Sequence, residues 1–230
     1  MKKINLLYVL GPSSLSKWNN NEIRYSLRSM NSANVGWVGI AGPEIPAFLC
    51  GIEHIRVAHQ TGGNRYQNVQ RQILAACSKD RVPEDLVLMN DDFIVRSPET
   101  WRWTPTHRGA VMKRDTPNAW KKSIIDTVKW VESHGVKNAI NYEGHTPFPF
   151  LKTKAKSLLE NILKEKEILQ FRTAYGNVNL IGGKYSPNAK REDPTKWPAD
   201  FPFWSLSSEP SEKAKKFLER WLSKPSRWEV

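Results

Sequence analysis

Two adjacent aspartates, Asp91 and Asp92, follow directly on the apolar run Leu86-Val87-Leu88-Met89 and the polar Asn90. Carboxylates placed side by side repel each other unless a cation lies between or beside them. A hard divalent ion, Mn²⁺ or Mg²⁺, takes oxygen ligands and bridges readily to a diphosphate. It would hold a pyrophosphate and neutralise the charge that develops as a nucleoside diphosphate departs. Asp92 is also a candidate proton acceptor, although one carboxylate does not readily act as both metal ligand and free base. An ordinary turn is the other reading of the triplet, since Asn-Asp favours turns.

These residues need a frame that presents them. Ile4 to Leu10 is a short apolar run closed by the Gly11-Pro12-Ser13-Ser14 turn, and it reads as a buried strand. Asn19, Asn20 and Asn21 offer N-cap acceptors for a helix with Glu22 in its first turn and Ile23, Leu27 and Met30 at helical spacing. Val35 to Ala41 and His54 to Ala58 read as further strands, Val69, Ile73 and Ala76 as the apolar face of a second helix, and Leu86 to Met89 as another buried strand. The alternation predicts an α/β fold with a mostly parallel sheet flanked by helices. Ligands in such sheets bind beyond the carboxyl ends of the strands, where the Gly11 to Trp18 loop and Asn90-Asp91-Asp92 would lie. Further helices are expected at Lys121 to Ser133, Thr153 to Leu169 and Ser211 to Leu222, with a Pro-rich stretch from Pro187 to Pro210.

The segment Asn20-Asn21-Glu22-Ile23-Arg24-Tyr25-Ser26-Leu27-Arg28-Ser29, with Leu88-Met89-Asn90-Asp91-Asp92-Phe93, resembles the conserved segments of Stealth-type sugar-phosphate transferases. It resembles more closely the short phage-encoded glycosyltransferases related to them. His145-Thr146-Pro147-Phe148, Tyr175-Gly176-Asn177 and Lys224-Pro225-Ser226-Arg227-Trp228-Glu229 resemble the later motifs, with Trp228 where those families carry Tyr. The extra regions of full Stealth proteins are missing, which favours glycosyl transfer over sugar-phosphate transfer. The resemblance implies a GT-A-like fold and a nucleotide-sugar donor, a UDP-sugar first. One domain spanning 1–230 is expected, with 1–95 binding the donor and 96–230 the acceptor.

The same resemblance implies that Gly11, Pro12 and Ser13 line the nucleotide pocket, where small residues let backbone N–H groups approach the base or phosphates. It brings Asn21, Asn90, Arg24 and Arg28 to the donor; two arginines four apart on one helical stripe can offer two guanidinium groups to a diphosphate. Arg71 is a further donor-site candidate, Arg172 and Asn177 weaker ones. His145 precedes Thr-Pro and so belongs to an extended or turning segment. Its neutral imidazole would complete the metal shell with Asp91 and Asp92 or contact the donor phosphate. Glu143, two residues earlier, would be the base that activates the acceptor.

A net charge of +12 and a pI near 9.7 imply an anionic partner. Arg96 to Lys156 holds 12 basic and 5 acidic residues, together with Trp101, Trp103, Trp120 and Trp130. Basic residues interleaved with aromatics suit a polyanion whose bases stack on the rings, although a solvated basic face over core tryptophans has the same composition. With the phage resemblance, DNA bearing hydroxymethylated pyrimidines becomes the expected acceptor, held through segment 96–156. A glycan or a phage structural protein is the alternative acceptor, and a non-catalytic nucleic-acid-binding module the alternative function. The opening apolar run is too brief for a signal peptide or a membrane span, so no membrane is expected and the cytoplasm of an infected bacterium is the expected place. Cys50 and Cys77 sit in no metal-ligand spacing and are expected to be free core thiols.

Overall fold

The computed structural model describes residues 3–62, 64–100, 103–111, 118–190, 197, 201–207 and 209–230. In chain order these form β1 (Ile4–Val9), a 3-10 turn (Ser13–Leu15), α1 (Asn21–Ser29), β2 (Val35–Gly42), β3 (Glu53–Arg56), α2 (Arg65–Cys77), β4 (Asp85–Asn90) and β5 (Phe93–Val95). Then follow β6 (Thr106–His107), α3 (Ala119–Ser133), β7 (Phe148–Leu151), α4 (Lys152–Ile162), α5 (Phe171–Val178), β8 (Lys184–Tyr185), β9 (Phe203–Ser205) and α6 (Glu212–Trp221).

The central sheet has the order β3-β2-β1-β4-β7, parallel except for β7, which runs antiparallel to β4. Side chains alternate across it as the period of two demands. Leu6, Tyr8 and Leu10 pack with Ile23, Leu27 and Met30, three residues of one α1 stripe and its end. Leu7, Leu86 and Leu88 pack on the other face with Ile73 and Ala76 of α2 and with apolar residues of α3, α4 and α5. A third cluster, built on Tyr25, Ile94, Trp204 and Leu218, seats α6 beside α1 and the small β5–β9 pair.

The alternation of strands and helices therefore gives the expected mostly parallel α/β sheet, with differences of detail. β7 has no counterpart among the expected strands because Pro149 interrupts its sequence. It is tolerated there since β7 is an edge strand and needs no outward N–H. The expected helix from Thr153 to Leu169 stops at Ile162. Its charged continuation gives way to a turn, and a separate helix, α5, drives Phe171, Ala174 and Tyr175 into the core. Core burial here overrides the helix propensity of a Lys/Glu run. The asparagines expected to cap α1 do not: Asn20, at φ 59°, makes no side-chain cap bond. Ser16 Oγ instead accepts from the N–H groups of Trp18 and Asn20 at 3.2 and 2.8 Å and donates to Glu22 at 3.0 Å.

Both cysteines are free, Cys77 buried and Cys50 partly so. Among the described residues no helix is long and apolar enough to cross a membrane.

Candidate active site

From β1 the chain reaches β2 through α1 on one face of the sheet, and from β3 it returns to β4 through α2 on the other. The two connections diverge between β1 and β4, which opens a crevice at the carboxyl ends of those strands. A cavity of 230 Å³ lies there. Gly11 and Pro12 form its wall from β1, Asn20 and Glu22 enter from the start of α1, Asp91 and Asp92 come from the end of β4, and Lys190 closes another side.

Asp92 is fixed from beneath: its Oδ2 accepts from Ser205 Oγ at 2.5 Å, and its carbonyl accepts from Leu206 N–H at 3.0 Å. Burial, with the carboxylates of Asp92 and Glu22 close by, pushes Asp91 up to about 7. Burial also raises Asp92, opposed by the Ser205 hydrogen bond and by the charges of Lys190 and Arg172. Carboxylates so crowded lack positive charge, which an oxygen-ligated divalent ion would supply. Mg²⁺ commonly takes one or two protein carboxylates and fills its remaining positions with substrate phosphate and water. The donor set of Asp91 and Asp92 fits an ion held in that way. Among the described residues no three His, Cys, Asp or Glu side chains gather into a complete metal cage.

On the α2 side of the same strand end lies a larger cavity of 550 Å³, lined among others by Arg65, Tyr66, Asn90, Trp120, Glu143, His145, Arg172 and Lys190. Buried Arg172 organises it. Nη2 donates to Asn90 Oδ1 at 2.9 Å and Nη1 to the Thr146 carbonyl at 2.6 Å, which ties the end of β4 to the turn carrying His145. His145 itself adopts φ 53°, a left-handed conformation uncommon outside glycine and better tolerated by histidine, asparagine and aspartate than by other residues. Burial, then the charges of Arg172, Lys190, Arg108 and Arg65, hold its basicity down to about 4, so the ring is neutral.

Glu143 Oε1 accepts from Thr173 N–H at 3.0 Å and from Thr173 Oγ1 at 3.3 Å, at the start of α5, where a carboxylate is favoured by the helix dipole. Burial raises its pKa nonetheless, against the pull of Arg172. The loop before Glu143 is stapled by α5. Asn177 Oδ1 accepts from Ile140 N–H at 2.8 Å while its Nδ2 donates to the Ile140 carbonyl at 2.7 Å. At Gly176 an added Cβ would lie 2.5 Å from the Tyr142 ring, so only glycine lets that ring approach.

The structure thus gathers Gly11, Pro12, Asp91 and Asp92 in one cavity and Asn90, Glu143, His145 and Arg172 in its neighbour. Not every expected site residue meets its expected partners. His145 stands apart from the aspartate pair, among cations that oppose a metal ion. Arg28 makes a two-pronged pair with Glu229, Nε to Oε1 at 2.9 Å and Nη2 to Oε2 at 2.6 Å. Arg24 approaches the same carboxylate at 3.5 Å and covers the Phe48 ring at 4.0 Å. Both arginines therefore anchor the C-terminal segment to α1, because the carboxylate nearest their stripe belongs to the protein itself. Asn21 Nδ2 donates to the Trp18 carbonyl, and the Ser13 N–H is taken by Glu44 at 2.7 Å. Arg71 lines neither cavity; its Nη1 is buried and has no hydrogen-bond partner among the described residues.

Of the tryptophans in the basic segment, Trp120 lines the larger cavity. Trp103 packs on the core, Trp130 lies 4.0 Å from the His134 ring, and Trp101 falls outside the described residues, as does 112–117. Sequence reasoning missed Glu22 and Lys190. Glu22 has the appearance of a helix-start acid, which it also is. Lys190 sits in a Pro-rich stretch without pattern and reaches the site only because it bridges to Ser205 of β9.

The sequence matches no protein-family model and no curated protein sequence. The fold is similar to that of the galactosyltransferase LgtC, whose structure was determined in complex with donor and acceptor sugar analogs. The TM-score is 0.53 at 10% sequence identity, over 97% of this chain and 96% of the LgtC chain. The fold is GT-A-like, and at so low an identity the likeness speaks for the fold alone.

Proposed function

We propose that the chain transfers a sugar from a nucleotide-sugar donor, a UDP-sugar first, to a hydroxyl acceptor. The observation that carries this reading is the crowded pair Asp91–Asp92 at the switch point of a GT-A-like sheet. The donor diphosphate would occupy the smaller cavity, towards which the first turn of α1 presents its positive dipole end. A divalent ion on the aspartates would neutralise the leaving diphosphate. Lys190, which lines both cavities, adds positive charge on the side where that group departs. The sugar would then face the larger cavity, where the acceptor hydroxyl enters.

Glu143 is the residue we assign to take the acceptor's proton. Its raised pKa suits a base better than His145, whose ring resists protonation. Asn90, held by Arg172, positions the neighbouring aspartates. Hydrolysis of UDP-glucose and related donors with Mn²⁺ or with chelator tests the reading. Metal-dependent release of UDP is expected; metal-indifferent or absent turnover across nucleotide sugars would contradict it.

For the acceptor we favour a hydroxymethylated pyrimidine of DNA. The net charge of +12 and the aromatic faces of Tyr66 and Trp120 in a cationic cavity support it. Labelled donor offered with hydroxymethylcytosine DNA should label the DNA. Labelling of a glycan or protein in its place would remove this part of the proposal.

A further inference from the structure

The charges of the two cavities differ in sign. Glu22, Asp91 and Asp92 make the smaller one acidic, with Lys190 at its edge. The larger one holds Arg65, Arg172 and Lys190 against a single carboxylate, Glu143, and that carboxylate is engaged at the start of α5. Arg108 adds a further cation from behind, its stem 3.9 Å from where a Cβ on Gly144 would stand. A neutral sugar acceptor has no use for such a field, and a metal ion would be repelled by it.

We infer that the larger cavity is an anion subsite that holds a phosphate ester of the acceptor, between Arg65 at its mouth and Arg172 and Lys190 in its wall. The inference rests on the glycosyl-transfer reading and supplies the chemical class of its acceptor. Arg65 is exposed and already oriented: Nη2 donates to Tyr66 Oη at 2.7 Å and the guanidinium lies 4.8 Å from the Tyr66 ring centre. A guanidinium so arranged loses little freedom when it takes a phosphate oxygen. Neutral His145 can donate one ring N–H to the same anion. Trp120 offers a flat face to a base or sugar ring attached to the phosphate.

Two sources carry this chemistry, the phosphomonoester of a small acceptor and the phosphodiester of a nucleic-acid strand, and one calorimetric experiment separates them. The full chain is titrated with deoxycytidine 5′-monophosphate, with deoxycytidine and with a single-stranded hexadeoxynucleotide, each with and without UDP and Mn²⁺. The monophosphate should bind at least about tenfold more tightly than the nucleoside, unaffected by UDP and Mn²⁺. Arg65→Ala should weaken it about tenfold, with Arg65→Lys recovering part of the loss. A hexanucleotide that binds more tightly still, with a steeper salt dependence, identifies a strand as the source; equal or weaker binding identifies a monoester. Equal affinity for nucleoside and monophosphate, no effect of Arg65→Ala, or competition with UDP and Mn²⁺ would overturn the subsite. Asp91→Asn keeps the two readings apart: it should abolish metal-dependent UDP binding while leaving monophosphate binding in place, and loss of both would contradict separate subsites.

Discussion

Asp91 is more costly to the fold than a surface aspartate, since burial and two neighbouring carboxylates oppose its ionisation. Asparagine there keeps the shape and removes the charge. Asp91→Asn should raise the midpoint of thermal unfolding by a few degrees without metal, equivalent to about 1 kcal/mol, and lower metal-dependent turnover about a thousandfold. Calorimetry and a donor-hydrolysis assay read the two effects. Glu143→Gln preserves the acceptor for Thr173, so it should leave donor KM in place while kcat falls about a hundredfold or more and the acidic limb of the pH profile disappears.

His145 gives a stability signature with a definite sign. Its folded value, about 4, lies below the ordinary 6.5, so the unfolded chain takes up the proton first. Stability is therefore lost as pH falls from about 6.5 towards 4, by at most about 1.4 kcal/mol per pH unit. Asp91, raised in the folded state, has the opposite slope, losing stability as pH rises. Urea unfolding of His145→Gln beside the unsubstituted chain isolates the histidine. The variant should gain relative stability at about pH 4.5 over about pH 7.5, and a constant offset would contradict the buried neutral ring.

Among the elements, α1 and the C-terminal segment show how a sequence motif misleads. Arg24 and Arg28 sit on one stripe, as the spacing predicts, yet that stripe meets Glu229. The Arg28 and Ser226 hydrogen bonds hold Glu229 below the usual carboxylate range despite the upward push of burial. Only a contact two hundred residues apart in sequence distinguishes this clamp from a phosphate site, and no local pattern encodes it. Arg28→Ala should cost about 2–3 kcal/mol by removing both guanidinium hydrogen bonds to Glu229, which keeps only the longer Arg24 contact and the Ser226 hydrogen bonds. Measuring Glu229→Gln and the double variant completes a cycle whose coupling should exceed about 1 kcal/mol. The α5 staple is the second element-scale test. Gly176→Ala forces a methyl onto the Tyr142 ring and should destabilise by about 1–3 kcal/mol.

At the scale of the molecule, the parallel core was legible because β1, β2 and β4 are short apolar runs separated by helical periodicity, and the aspartate pair was legible because it ends one of them. Less legible were residues brought in by tertiary approach. Arg172 belongs to a helix hidden behind a Lys/Glu run, and Lys190 arrives through a single bridge to β9. The net charge implied an anionic partner, but only the fold separates an acidic cavity from a basic one. Donor binding turns on the acidic cavity. Calorimetric titration of UDP into the chain, with Mn²⁺ and with chelator, for the unsubstituted protein and Asp91→Asn, tests it most directly. UDP should bind at least about tenfold more tightly with Mn²⁺, and the variant should lose that difference. Equal affinity under chelator, or a variant that keeps the full metal effect, would contradict it.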